Sequence, residues 1–97
     1  MTKQEKYLVY ISATGEVVRI DQPTRLDLRL LQTLVGGYIE HVGGIKYEGH
    51  DCYMWCNEEG KLKGLPINTK ATEIFQKAHG PVDVIVGDVV VVIGLEG

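Results

Sequence analysis

CYMWCNEEGKLKGLPIN, residues 52–68, decides how this chain is read. It opens with strand-like alternation, passes through a cluster of Asn, Glu and Gly, and ends on Leu-Pro-Ile-Asn, an approach to a helix. It also holds the single Trp and both Cys of the 97-residue chain. Asp51 to Asn57 reads as a strand, so its side chains alternate between two faces. Cys52, Met54 and Cys56 form a core-like face. Asp51, Tyr53, Trp55 and Asn57 form the other. Asn57-Glu58-Glu59-Gly60 then reads as a hairpin turn with Gly60 at a position of positive φ. Lys61 to Gly64 reads as a short return strand. Asn68 is a good helix N-cap.

Working outward, Asn68 opens a helix whose apolar stripe is Ala71, Ile74, Phe75 and Ala78, and Gly80-Pro81 stops it. Val82 to Ile93 is mostly Val and Ile and reads as a buried strand or strand pair. The sequence leaves open whether Gly87-Asp88 is a bend or a hairpin turn. On the N-terminal side, Lys6 to Ser12 and Glu16 to Ile20 read as strands joined by Ala13-Thr14-Gly15. Thr24 is the expected cap of a helix over Arg25 to Val35, which Gly36-Gly37 closes. Tyr38 to Val42 is a strand that Gly43-Gly44 bends and Ile45 to Tyr47 continues. Glu48-Gly49-His50 reads as a turn.

The order β-β-α-β-β-β-α-β predicts one α+β domain over residues 1–97, a mainly antiparallel sheet with two helices packed on it. A ferredoxin-like layout with an added N-terminal hairpin is compatible with that order. Residues 1–5 and 95–97 are expected to be flexible. The hydrophobic fraction of 44% and charged fraction of 24% are those of a globular chain.

The formal net charge is −3, which disfavours general nucleic-acid binding, since phosphate neutralisation calls for a basic field. No stretch is apolar for long enough to span a bilayer, and no signal segment opens the sequence, so the expected location is the cytoplasm. Cys52 and Cys56 on one strand face would lie about 13 Å apart, too far for a disulfide. They read as inert thiols. His41, His50 and His79 show no metal-ligand spacing. No metal, cofactor or catalytic constellation is indicated, and the chain reads as a non-enzyme. Glu40 and His41 are adjacent on a strand and so face opposite ways.

Tyr53, Trp55, Asn57, Glu58, Lys61, Pro66 and Asn68 are the candidate ligand- or partner-binding residues. Tyr53 and Trp55 share a face that either packs under a helix or stacks on a base or a partner. Asn57, Glu58 and Lys61 form either a solvated turn or a contact edge. Pro66 stiffens the helix entry, and the backbone amides beyond Asn68 could hold an anion.

Three segments, VGGYIE, CNEEGKLKGLPIN and DVIVGDVVVV, together resemble a small domain-of-unknown-function family found in phages, plasmids and gut bacteria. The resemblance runs from about residue 7 to about residue 94, and NEEGKLKGLPIN is its specific part. The family is loosely linked to antirestriction proteins. The resemblance therefore implies a mobile-element protein that blunts host defence, with no catalytic residues to carry over. Two versions follow: binding a host defence protein, or sequestering a small nucleotide between Tyr53, Trp55, Lys61 and the Asn68 helix terminus. A structural or accessory domain without a ligand is the alternative. A homodimer or higher oligomer is compatible with the small size. Edge-to-edge pairing of the apolar strand at residues 84–93 would be one route to it.

Overall fold

In the computed structural model, which describes residues 6–21 and 27–95, the elements are β1 (Tyr7–Ile11), β2 (Val17–Asp21), α1 (Leu28–Val35), β3 (Ile39–Tyr47), β4 (His50–Asn57), α2 (Thr69–His79) and β5 (Val89–Ile93). The strands form one sheet in the order β2-β1-β5-β4-β3, with every neighbouring pair antiparallel. The fold is α+β.

The last strand lies in the middle of the sheet. All five residues of β5 are apolar and no more than 1% exposed, so both faces of the strand need cover. A strand of this kind is stable only at the centre. Its alternation splits the core in two. Val89, Val91 and Ile93 join Tyr7, Val9, Ile11, Met54 and Cys56 beneath Ala71 and Ile74 of α2. Val90 and Val92 join Leu8 beneath Leu31 and Val35 of α1. The two helices therefore cover opposite faces of the sheet. This departs from a ferredoxin-like layout, in which both helices share one face. It also takes Val89–Ile93 out of the expected edge-to-edge pairing of residues 84–93, because β1 and β4 occupy both edges of β5, and residues 84–88 form no strand.

Other expectations shift locally. Residues 82–88 are irregular, with one bridge from Val86 to Ile67, so only Val89–Ile93 forms strand. Gly87-Asp88 is a bend. The Asp88 carboxylate accepts from Tyr10 Oη at 2.8 Å and from the Ala13 amide at 2.9 Å, which anchors that bend to the end of β1. The expected strand Lys61–Gly64 is a coil of turns. Its amides bond back to nearby carbonyls, Lys63 to Glu59 and Leu65 to Gly60, rather than to a neighbouring strand.

Gly60 is required by space and not by a left-handed backbone. A Cβ there would sit 2.8 Å from Val86 Cγ2. The tight hairpin instead joins β3 to β4. Tyr47 pairs with His50, and Glu48 and Gly49 between them have φ of 49° and 82°, the geometry of a two-residue turn that matches strand twist. His50 thus begins β4 and does not belong to the turn.

The expected cap Thr24 and the first helical residues lie outside the described residues. The described helix α1 is capped by Asp27, whose carboxylate accepts from the amides of Arg29 and Leu30. Gly36 closes it in the left-handed region, as expected. Leu95 packs against the core beneath α1. No helix among the described residues is long and apolar enough to cross a membrane.

Candidate functional site

The turn that follows β4 forms one wall of a cleft of about 350 Å³ on the α2 face of the sheet. β3 contributes Glu40 and Val42, and β4 contributes Cys56. The turn contributes Glu58, Lys61 and Leu62, and α2 contributes Phe75. Asp83 to Val86 close the far side. The cleft forms because Phe75 and Val42 pack only partly against the core, while Gly60 lets the turn approach Val86 closely.

Lys61 Nζ is paired with the Asp83 carboxylate across the mouth. This contact, aided by the Val84 amide, holds the Asp83 carboxyl below its usual range. Leu62, which lines the cleft, is 89% exposed, and Val82, next to Asp83 in the chain, is 74% exposed. Among the described residues Leu62 is the most exposed large apolar side chain, and it stands on a cleft whose floor is partly apolar.

The singled-out residues do not converge on one site. Glu58 and Lys61 line the cleft. Asn57 contributes to its lining but is 7% exposed and is tied up internally: Oδ1 accepts from the Glu59 amide at 2.8 Å, and Nδ2 donates to the Val35 carbonyl at 3.5 Å. It fastens the turn to the C-terminal end of α1. Asn68 is fully buried. Its Oδ1 caps Ala71, and its Nδ2 donates to the carbonyls of Ile11 at 3.0 Å and Gly87 at 2.9 Å. It is a core fastener with no face open to an anion. Pro66 is exposed, and its carbonyl accepts from the Gly87 amide at 2.8 Å.

Tyr53 and Trp55 lie on the opposite, α1 face, partly buried against Val90 and Val92. There His41 stacks on Tyr53 at 4.7 Å and 29°, and meets Trp55 edge-on at 5.1 Å. Tyr53 Oη and Trp55 Nε1 are buried without hydrogen-bond partners among the described residues. Burial pushes the Tyr53 hydroxyl up, while the nearby Trp55 N–H pulls the other way without reaching hydrogen-bond geometry.

His41 belongs to this cluster because β3 pairs it with Trp55, a cross-strand relation that sequence distance hides. Glu40 points to the cleft and His41 to the aromatic cluster, so the two do not cooperate. Leu62, Phe75 and Asp83, which also line the cleft, are not among the binding candidates that the sequence offers. A Leu between two lysines in a turn was the available signal.

A second, larger cavity of about 740 Å³ lies between the β3–β4 hairpin and α2, with Cys52, Ile74, Lys46 and Lys77 in its lining. Burial raises the Cys52 thiol to about 11, and it raises the thiol of the more deeply placed Cys56 to about 12. Neither is a ready nucleophile. Both thiols are free.

A family model described as a domain of unknown function (DUF3846) matches residues 6–97. The chain belongs to this family. The match takes in every strand and both helices, so the cleft and the aromatic cluster both lie on the DUF3846 domain itself. No curated protein matches the chain, and no solved structure does.

Proposed function

We propose that this DUF3846 protein is a non-enzymatic binding protein that acts by occupying a partner protein through the cleft beside the 58–62 turn. The single observation that carries the reading is the exposure of Leu62, 89% open to solvent, at the mouth of that cleft. Apolar side chains held in water on an otherwise polar turn gain free energy only when a partner covers them. Both thiols are shifted away from reactivity and Glu40 and His41 face apart, which favours binding over catalysis.

The sequence resemblance to phage and plasmid families supplies the setting: a mobile-element product whose partner is a host defence protein. Of the two versions, the protein partner is favoured over a sequestered nucleotide. The aromatic pair Tyr53 and Trp55 lies on one sheet face and Lys61 on the other, while Asn68 is fully engaged. Stacking and phosphate contacts could not be made together.

The test places a photo-crosslinking amino acid at position 62, and separately at position 77 beside the larger cavity, in the protein expressed in a bacterial host. A discrete crosslinked host protein from position 62 alone is the expected result. Equal crosslinking from both positions, or none from position 62, overturns the reading.

A further inference from the structure

β3 is the outermost strand beside this cleft, and part of its edge is unpaired among the described residues. The Glu58 amide donates to the Tyr38 carbonyl at 2.9 Å, and Glu40 and Val42 face Cys56 and Met54. In an antiparallel ladder, residues alternate between turning both backbone groups to the partner and turning both away. The even-numbered residues therefore bond to β4, and Ile39 and His41 present N–H and C=O outward. The next outward carbonyl, that of Gly43, is already taken: His79 Nε2 donates to it at 2.9 Å. The bulge between Val42 and Ile45 changes the register from there on. The open edge is thus short and defined, covering residues 39–41. Natural edges are often blunted by charges and bulges, and here both the bulge and the His79 contact lie beyond this window.

The two features that flank the window sit on opposite faces of the sheet. On one face is the apolar cleft lined by Val42 and Phe75, with Leu62 at its mouth. On the other is the exposed His41 ring stacked on Tyr53. A strand laid against β3 would send alternate side chains to each.

The charge around the cleft sets what those side chains are. Lys61 is neutralised by Asp83, whereas Glu40 and Glu58 make no ion pair among the described residues. The rim therefore carries uncompensated negative charge.

We infer that the partner is bound by strand addition: an extended segment pairs with the open edge at Ile39–His41, places an apolar side chain flanked by basic residues in the cleft, and sets an aromatic side chain on His41. This rests on the partner-binding reading above. Main-chain hydrogen bonds supply affinity and the two flanking surfaces supply selectivity, the general logic of β-augmentation.

The probe is a fluorescein-labelled pentapeptide, Lys-Tyr-Leu-Tyr-Lys, followed by fluorescence polarisation. Strand alternation sends Lys, Leu and Lys to the cleft face and both Tyr to the His41 face. Saturable binding is expected. N-methylation of the peptide amides that pair with β3 should weaken it about tenfold or more, because each methyl group removes a main-chain hydrogen bond. The Glu-Tyr-Leu-Tyr-Glu counterpart should not bind.

On the protein, His41→Pro removes an N–H that faces outward and leaves the β4 ladder intact, so it should keep the circular-dichroism spectrum and lose peptide binding. His41→Ala should keep the N–H and retain most of the binding. If His41→Pro fails to fold, the N-methylated peptides decide alone. No binding at millimolar peptide overturns the inferred chemistry. Binding indifferent to N-methylation overturns strand addition while leaving crosslinking from position 62, and with it the parent reading, in place. Loss of that crosslinking removes the parent reading itself.

Discussion

Asn68→Ala should be among the most damaging single substitutions in this protein, although Asn68 began as a candidate ligand residue. Three hydrogen bonds meet on its side chain: the Ala71 amide, the Ile11 carbonyl and the Gly87 carbonyl. Removing the N-cap acceptor alone costs about 1 kcal/mol. The Gly87 carbonyl lies in the interior and loses a donor, for about 1–3 kcal/mol more. Ile11 lies within both ladders of β1, so the same loss at its carbonyl falls at the low end of that range. The total is ~3–5 kcal/mol, a large share of the ~5–15 kcal/mol that a domain of this size has to lose.

Urea unfolding followed by circular dichroism measures it. The midpoint should fall with little change in slope, since the native fold is the same. Asn68→Asp separates the parts: it keeps the cap but turns a carboxylate toward two carbonyl oxygens. That variant should be more stable at acidic than at neutral pH, because only its protonated form can donate. A loss below about 1 kcal/mol for Asn68→Ala would refute the assignment, since a side chain with an exposed, merely capping role costs no more than that.

Three further outcomes are expected. Trp55→Ala should cost about 2–3 kcal/mol in the same assay, less than a fully buried Trp, because the ring is only partly covered by Val90, Val92 and His41. Gly60→Ala should lower the thermal midpoint by the equivalent of about 1–3 kcal/mol, because the added methyl meets Val86 Cγ2 at 2.8 Å. The protein should lose stability from about pH 9 upward. The folded-state thiol of Cys56 sits near 12 against an ordinary value of 9.0, so its contribution is complete below 9 and declines as pH rises toward 12. The slope is about 1.4 kcal/mol per pH unit for that thiol, and Cys56→Ala should move the onset of alkaline unfolding upward.

How much of this was legible in residues alone differs from element to element. Gly36 as the end of α1 and Asn68 as the cap of α2 follow from local backbone chemistry, and both are found. The alternation of Cys52, Met54 and Cys56 against Tyr53 and Trp55 follows from strand geometry, and the two sets do lie in different cores. Lys61–Gly64 misled because a short mixed run satisfies a strand pattern and a coil of turns equally well. Gly60 misled because a glycine required by close approach looks the same in sequence as one required by positive φ.

What the sequence determined by itself was local: where both helices end and where α2 begins, which face of β4 is apolar, and that the Val- and Ile-rich run ending at Ile93 is buried. Those properties depend on neighbours within a few positions. Which strands lie side by side, and hence everything about the site, was decided only in three dimensions. β5 entering between β1 and β4 sends the helices to opposite faces. That separation parts Lys61 from Tyr53 and Trp55, and the β3 register brings His41 onto Tyr53. Such pairings rest on the burial of whole strand faces between residues far apart in the chain, and no local pattern encodes them.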